Sequence, residues 1–237
     1  MSPEPYQYPG DELDVFAHAR NWKRYWVSRV REFLTGDVLE VGAGIGSNTA
    51  LMLRPEVRSW ICLEPDARLL ERLARRLAAD PAMAQCRAVR GTVASLDPSL
   101  AFDAIAYVDV LEHIEADREE LRAAAAHLKP GGHLVVLAPA HNGLYTAFDK
   151  AIGHVRRYSK SSLVALTPPG TTVARAFYLD SAGLLASGAN RFLLKSAMPT
   201  AGQVRLWDRM IVPISRILDP LTAHAMGKSV VVVWRMQ

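Results

Sequence analysis

The chain has little cysteine, no long apolar run and no block of like charge, and each shortage excludes something. Two cysteines in 237 residues, Cys62 and Cys86, lie in or beside apolar strand-like runs. They exclude a disulfide scaffold and read as buried free thiols of a reducing compartment. No stretch approaches the roughly 20 apolar residues of a membrane span. The nearest, "AGLLASGANRFLLKSAM", is interrupted by Arg191 and Lys195. The opening "MSPEPYQYPGDELD" lacks the basic start and apolar centre of a signal peptide and reads as a loose arm. A cytoplasmic protein without a membrane span is the expectation. The net charge of +4 is spread along the chain. An anionic small ligand accounts for it as well as nucleic acid does, and no aromatic-rich basic groove is readable, so nucleic acid is not an expected partner.

What is present is alternation. Half of the residues are apolar, enough for one sizeable core. Short apolar strands are expected at 37–42, 59–64, 86–91, 102–109 and 133–139, with helices at 47–53, 66–79 and about 117–128 between them. That rhythm is the pattern of a parallel sheet covered on both faces. After residue 140 it slackens into a loop and a short helix. Two late strands, 171–179 and 229–236, complete a count of seven.

The first strand ends in "LEVGAGIG", which places Glu40, Gly42, Gly44 and Gly46 at a strand-to-helix turn. Glycine there lets a backbone turn tightly and approach a ligand. Glu64 ends the second strand, where a carboxylate can accept hydrogen bonds from both ribose hydroxyls. Together they indicate an adenosine-containing ligand. A dinucleotide needs a bare helix N-terminus for its pyrophosphate. Here Glu40 stands two residues before the first glycine, and the third glycine comes one position early, with Ser47 in its place. A ligand with a cationic tail suits this turn better.

"VLEVGAGIGSNT", "LEPD", "FDAIAYVDVLEHIEADREELR" and "LKPGGHLVVLAPAH" resemble, in order and spacing over roughly 36–165, the motifs of class I S-adenosylmethionine-dependent methyltransferases. They resemble the small-molecule branch with the "EHI" signature. "AFDKAIGHVRRYSKSSL" is similar to a stretch of one bacterial subgroup. The resemblance implies an α/β, Rossmann-like, seven-stranded sheet, mostly parallel with an antiparallel last strand. It implies a single domain over 1–237: an arm and lid helix to residue 35, a cofactor core over 36–139, a substrate loop and helices over 140–228, and a last strand over 229–236. The implied cofactor is S-adenosyl-L-methionine, with S-adenosyl-L-homocysteine as product. Gly42, Gly44 and Gly46 would line its methionine part, with Glu40 at the amino group. Glu64 would hold the ribose, Pro65 and Asp66 would lie beside the adenine, and Gly91, Thr92 and Val93 would cap its edge. The family often has an acid where Thr92 stands. Asp109 would sit near the reacting methyl. In "FAHARNWKRYW", Asn21, Trp22, Arg24 and Tyr25 would reach the cofactor carboxylate or seal it from water, beside an ordinary packing role for Trp22 and Trp26.

Methyl transfer needs a nucleophile in line with the methyl–sulfur bond, water kept out, and a base where the nucleophile carries a proton. The loop after the fifth strand would overhang the methyl group. It offers His154 as first and His141 as second candidate base, since neutral imidazole titrates near pH 7. Arg157 with Arg156 would bind a carboxylate, phosphate or oxygen cluster of the substrate, with Tyr145 and Tyr158 alongside. The competing reading is an Asp149–arginine ion-pair network that pins the loop. His113 reads more simply as a structural residue at a helix start. No tight ligand spacing joins Asp109, His141 and Asp149, so no metal is expected.

Residues 180–228 read as cover for the late strands and wall of an apolar pocket. A homodimer face is a second reading. A third is membrane-surface contact by a basic amphipathic helix carrying Leu206, Trp207, Ile211, Ile214 and Leu218, weakened by Pro213. "GKS" at 227–229 lacks the glycine spacing of a phosphate loop. The expected reaction is methylation of a small, polar or anionic molecule at a hydroxyl or carboxylate oxygen. Nitrogen or carbon methylation, nicotinamide-dependent oxidoreduction and a binding module without chemistry are the alternatives.

Overall fold

The computed structural model describes residues 6–10, 12–193 and 199–237, with backbone alone for 188–193. The reading of Arg191 and Lys195 as breaks in an apolar stretch, and that of residues 1–5 as part of a loose arm, lie outside the side chains described. Seven strands form one sheet in the order β3-β2-β1-β4-β5-β7-β6. They are β1 (Gly36–Val41), β2 (Val57–Glu64), β3 (Cys86–Arg90), β4 (Phe102–Val108), β5 (Leu128–Pro139), β6 (Thr171–Leu179) and β7 (Ser229–Met236). The first five run parallel, and β7 lies antiparallel between β5 and β6. The helices are α1 (Glu12–Phe16), α2 (Arg20–Val30), α3 (Thr49–Met52), α4 (Ala67–Ala79), α5 (Asp117–Ala126), α6 (Ala147–Ala151), α7 (Lys160–Val164), α8 (Ser181–Leu193), α9 (Ala201–Leu206) and α10 (Val212–Leu221).

Strand period sorts the core into two layers. Val38, Trp60, Ala104, Ala106, Val135, Leu137 and Val231 point to the face covered by α2, α4 and α10. Leu39, Leu63, Ile105, Tyr107, Val136 and Trp234 point to the face covered by α5 and α7. In β7, Val230 through Trp234 are fully buried, so a continuous apolar run was needed there rather than an alternating one.

β5 starts earlier than the sequence suggested. "KPGG" enters the strand as a bulge: Phe102 pairs with Leu128 and Ala104 next with His133. Gly131 has φ +78°, and a Cβ on Gly132 would meet Lys129 O at 2.9 Å. Glycine is what lets the chain kink into the sheet there.

The N-terminus of α2 takes its cap from the far end of the chain. Ala19, before the helix, supplies no side-chain cap. Asp208 supplies it instead, its carboxylate accepting from Asn21 N at 3.2 Å and Trp22 N at 2.8 Å. Asn21 Nδ2 donates back to Asp208 O at 3.1 Å. Negative charge and acceptor oxygens at this position satisfy orphan N–H groups and complement the helix dipole. Asp208→Ala should therefore cost about 1–2 kcal/mol, lowering the thermal unfolding midpoint by roughly 2–8 °C; an unchanged midpoint would remove this cap from the fold's stability.

Candidate active site

The carboxyl ends of β1, β2, β4 and β5 open into one cavity of about 1090 Å³. Because β7 is antiparallel, its first residue, Ser229, lies opposite Pro139, the last of β5. Lys228 thereby reaches the same edge and lines the cavity.

The glycine turn forms one wall. Gly42 has φ +66°, and a Cβ there would come within 2.6 Å of Val110 Cγ2. Gly44 has φ +57° and donates its N–H to Glu64 Oε2 at 2.8 Å. Glu64 Oε1 accepts from Asp66 N at 2.9 Å. Two backbone donors thus fix a buried carboxylate at the end of β2, facing the cavity. Burial nevertheless raises its pKa above the ordinary carboxylate range. Pro65, Gly91 and Thr92 continue this wall.

Asp109 follows β4 with φ +53°, its N–H held by Leu137 O at 2.9 Å. Its side chain is open to the cavity yet ringed by protein. Desolvation pushes its carboxyl up to about 6, against the positive fields of His154, Lys23, Lys228 and Arg157. Lys23, on α2, also lines the cavity. Its Nζ donates to Ser47 Oγ at 2.6 Å and Ser47 O at 3.3 Å. Burial, then the nearby Arg76, lowers it to about 8.

The other end of the cavity is built on Asp149, which is fully buried. It accepts from Thr146 N at 2.8 Å and Thr146 Oγ1 at 3.0 Å, from Arg157 Nε at 2.8 Å and Nη2 at 2.9 Å, and pairs with His154 Nδ1 at 2.9 Å. Burial opposes its charge, but these donors outweigh burial and hold it well below the usual carboxylate range. An ionised carboxylate only accepts, so the shared proton sits on His154 Nδ1. His154 Nε2 lies 3.7 Å from Glu112 Oε1. Glu112 is fully buried, with no hydrogen-bond partner for either oxygen among the described residues. Burial, reinforced by Asp109, keeps it protonated well above its ordinary range. His113 stacks edge-on against His154, ring centroids 4.6 Å apart, and burial lowers it to about 4.

The expected site residues divide on this geometry. Trp22, Gly42, Gly44, Glu64, Pro65, Gly91, Thr92, Asp109, His154 and Arg157 line the cavity. The rest are not among the lining residues and make other contacts. Glu40 lies under the turn, accepting from Thr49 Oγ1 at 2.8 Å and Trp60 Nε1 at 2.9 Å. Gly46 packs over Leu73. Asp66 caps α4 through Arg68 N and Leu69 N. Val93 is in the core. Tyr25 donates to Asp219 at 2.7 Å. His141 is bonded to Gly227 O at 3.0 Å and stacked on Tyr178. Tyr145 donates to His154 O at 2.6 Å. Arg156 pairs with Asp117, to which Tyr158 also donates at 2.8 Å. Lys23, Lys228 and Glu112 were not singled out as ligand groups from sequence. For Lys23 a signal existed: it sits among the four α2 residues proposed to face the cofactor.

A seven-stranded sheet with this order, a glycine turn after β1 and a buried carboxylate after β2 define a Rossmann-like enzyme of the methyltransferase type. A family model described as a methyltransferase domain matches residues 16–167, and the chain belongs to that family. No curated protein matches it. Among solved structures, the N-methyltransferase NodS from Bradyrhizobium japonicum, in complex with S-adenosyl-L-homocysteine, is 15% identical over 98% of this chain and 94% of its own, with a TM-score of 0.60. The [4+2]-cyclase SpnF is 17% identical over 96% and 94%, with a TM-score of 0.62. The mitomycin 7-O-methyltransferase MmcR is 16% identical over 94% of this chain and 54% of its own, with a TM-score of 0.61; this chain spans about half its length. At such identities these likenesses speak for the fold. Among the described residues no helix is long and apolar enough to cross a membrane.

Glu40 yields a pH prediction. Desolvation pushes its carboxyl from 4.5 to about 7, against its bonds to Thr49 and Trp60. The folded state then binds the proton more tightly than the unfolded chain, so stability falls as pH rises through that window. Relative to Glu40→Gln, the wild type should lose on the order of 3 kcal/mol between about pH 4 and pH 8 in denaturant unfolding; parallel curves would show that folding leaves the Glu40 pKa unshifted.

Proposed function

We propose that the protein transfers a methyl group from S-adenosyl-L-methionine to a hydroxyl oxygen of a small molecule, with His154 as general base. The observation that favours a protonated oxygen is the Asp149–His154 pair at 2.9 Å, with His154 among the residues that line the cavity. A carboxylate acceptor would have no use for a base oriented in this way.

The residues present fit the sulfonium cofactor. Gly44 brings backbone to the cavity without a Cβ, and Glu64 is a fixed, buried acceptor beside it. Asp109 and Glu64 put carboxylates where a pyrophosphate would be repelled and a cation is welcome. Glu64 would hold the ribose hydroxyls, Pro65 and Thr92 would border the adenine, Asp109 would face the ammonium and sulfonium region, and Lys23 would take the carboxylate. Bound there, the cofactor supplies an already activated methyl group.

His154 Nε2 accepts the hydroxyl proton as the acceptor oxygen bonds to the methyl carbon; the carbon–sulfur bonding pair stays on sulfur. Asp149 steadies the imidazolium, and the proton leaves to water with the products. Arg157 acts through Asp149, which both its nitrogens grip. The polar end of the acceptor falls to Lys228, whose Nζ stands 5.1 Å over the Trp207 ring and makes no ion pair among the described residues. Trp22, Phe148 and Trp207 line the cavity and keep water from the reacting atoms.

Calorimetric titration should give micromolar binding of S-adenosyl-L-homocysteine and none of NAD, with Glu64→Ala at least about tenfold weaker. NAD binding alone would overturn the cofactor reading. With an acceptor found by screening hydroxylated acids and sugars against methyl-labelled cofactor, His154→Ala and Asp149→Asn should lose about 10²-fold or more in turnover while homocysteine-product affinity holds. Unchanged turnover in His154→Ala would remove the base.

A further inference from the structure

Residues Ala201–Leu221 run as one continuous helix: α9, a five-residue π-turn Trp207–Ile211, and α10. Its two faces are the reverse of what a surface helix shows. The inward stripe is Val204, Asp208, Val212, Ser215 and Asp219, each 0–4% exposed. The outward stripe, two residues on from each, is Leu206 (62% exposed), Met210 (60%), Ile214 (49%), Ile217 (67%) and Leu221 (77%). Both carboxylates of the segment are consumed inside. Asp208 caps α2, and Asp219 accepts from Tyr25 Oη, Asp180 N at 2.8 Å and Ser181 N at 2.9 Å. The charges left on the surface are Arg205, Arg209 and Arg216, all cations, along one flank of the apolar stripe.

We propose that this helix docks the protein on an anionic membrane surface, lying flat with the outward stripe among acyl chains and the three arginines at lipid phosphates. Five exposed large aliphatic side chains in one row exceed the scattered apolar residues of an ordinary surface. A row of cations beside an apolar stripe, on a helix about 30 Å long, is the pattern of an interfacial helix. A second copy of the chain is a poorer occupant, since its own arginines would meet cations and no exposed carboxylate on this helix. The residues that dock are set apart from those that hold the cofactor, so docking stands whether or not methyl transfer does. Leu206 belongs to both the outward stripe and the cavity wall, which Trp207 and Ile211 continue. Docking therefore places one wall of the cavity against the lipid.

Sedimentation with vesicles of phosphatidylcholine, alone and mixed with phosphatidylglycerol, tests this. The wild type should partition onto mixed vesicles on the order of 100-fold better than onto neutral ones, and salt should weaken it. The triple variants R205E/R209E/R216E and M210S/I217S/L221S should each lose that binding while keeping thermal midpoint and S-adenosyl-L-homocysteine affinity. Equal binding to neutral vesicles, binding to neither, or a wild-type dimer that M210S/I217S/L221S makes monomeric would each overturn the proposal. Loss of homocysteine-product affinity in the wild type would instead strike the cofactor reading and leave docking untouched.

Discussion

The end of the cavity beside the loop after β5 depends on a single buried carboxylate. Taking an ionised Asp149 out of water is costly unless its lone pairs are filled. Thr146, His154 and Arg157 fill them with five contacts, all from within twelve residues of chain. The loop after β5 is thereby folded around its own charge. Where Thr146 starts α6, where His154 points and which way Arg157 turns are settled together. A satisfied network of this kind is rigid, because releasing any one donor leaves a charge under-solvated. Such rigidity is what a base needs if it is to meet a proton at a fixed place.

The likeness to a [4+2]-cyclase shows how little the sheet by itself decides. Folds host chemistry; side chains at the strand ends choose it. Here Glu64 and the Gly44 N–H sit at one end and the Asp149–His154 pair at the other, both on rigid elements or on loops pinned by buried bonds.

How far all this could be read from sequence follows from what each residue depends on. β-branched runs such as "SVVVVWRM" announce strands because burial on both faces demands them, and 171–179 and 229–236 fall where expected. The position of Glu64 was legible, because it needs only a strand end, and it falls at the end of β2 beside the cavity. "GHVRRY" reaches the cavity, as expected of the loop after β5, but the contacts of its parts were not legible. Arg156 and Arg157 are chemically identical neighbours, and only the fold sends one to Asp117 at the start of α5 and the other to Asp149. His141 and His154 differ in the same way: one meets a carbonyl, the other a carboxylate. Lys23 stands among α2 residues expected to face the cofactor, yet its own part shows only once Ser47 is brought to it. Lys228 comes to the cavity edge only because β7 runs antiparallel, a fact of topology with no local signature.

That antiparallel strand has a consequence for how the chain is made. β6 leaves the ribosome before β7, yet its partner in the sheet is β7, and so is the partner that covers the outer edge of β5. Until residues 229–236 emerge, β5 has one open edge and β6 none of its ladder. The half of the sheet nearest the proposed membrane helix must therefore close last, by a pairing of long sequence separation, which is slow. During that interval the unpaired edge and the apolar helix stripe are exposed together, the state of the nascent chain most in need of a chaperone or a surface to rest on.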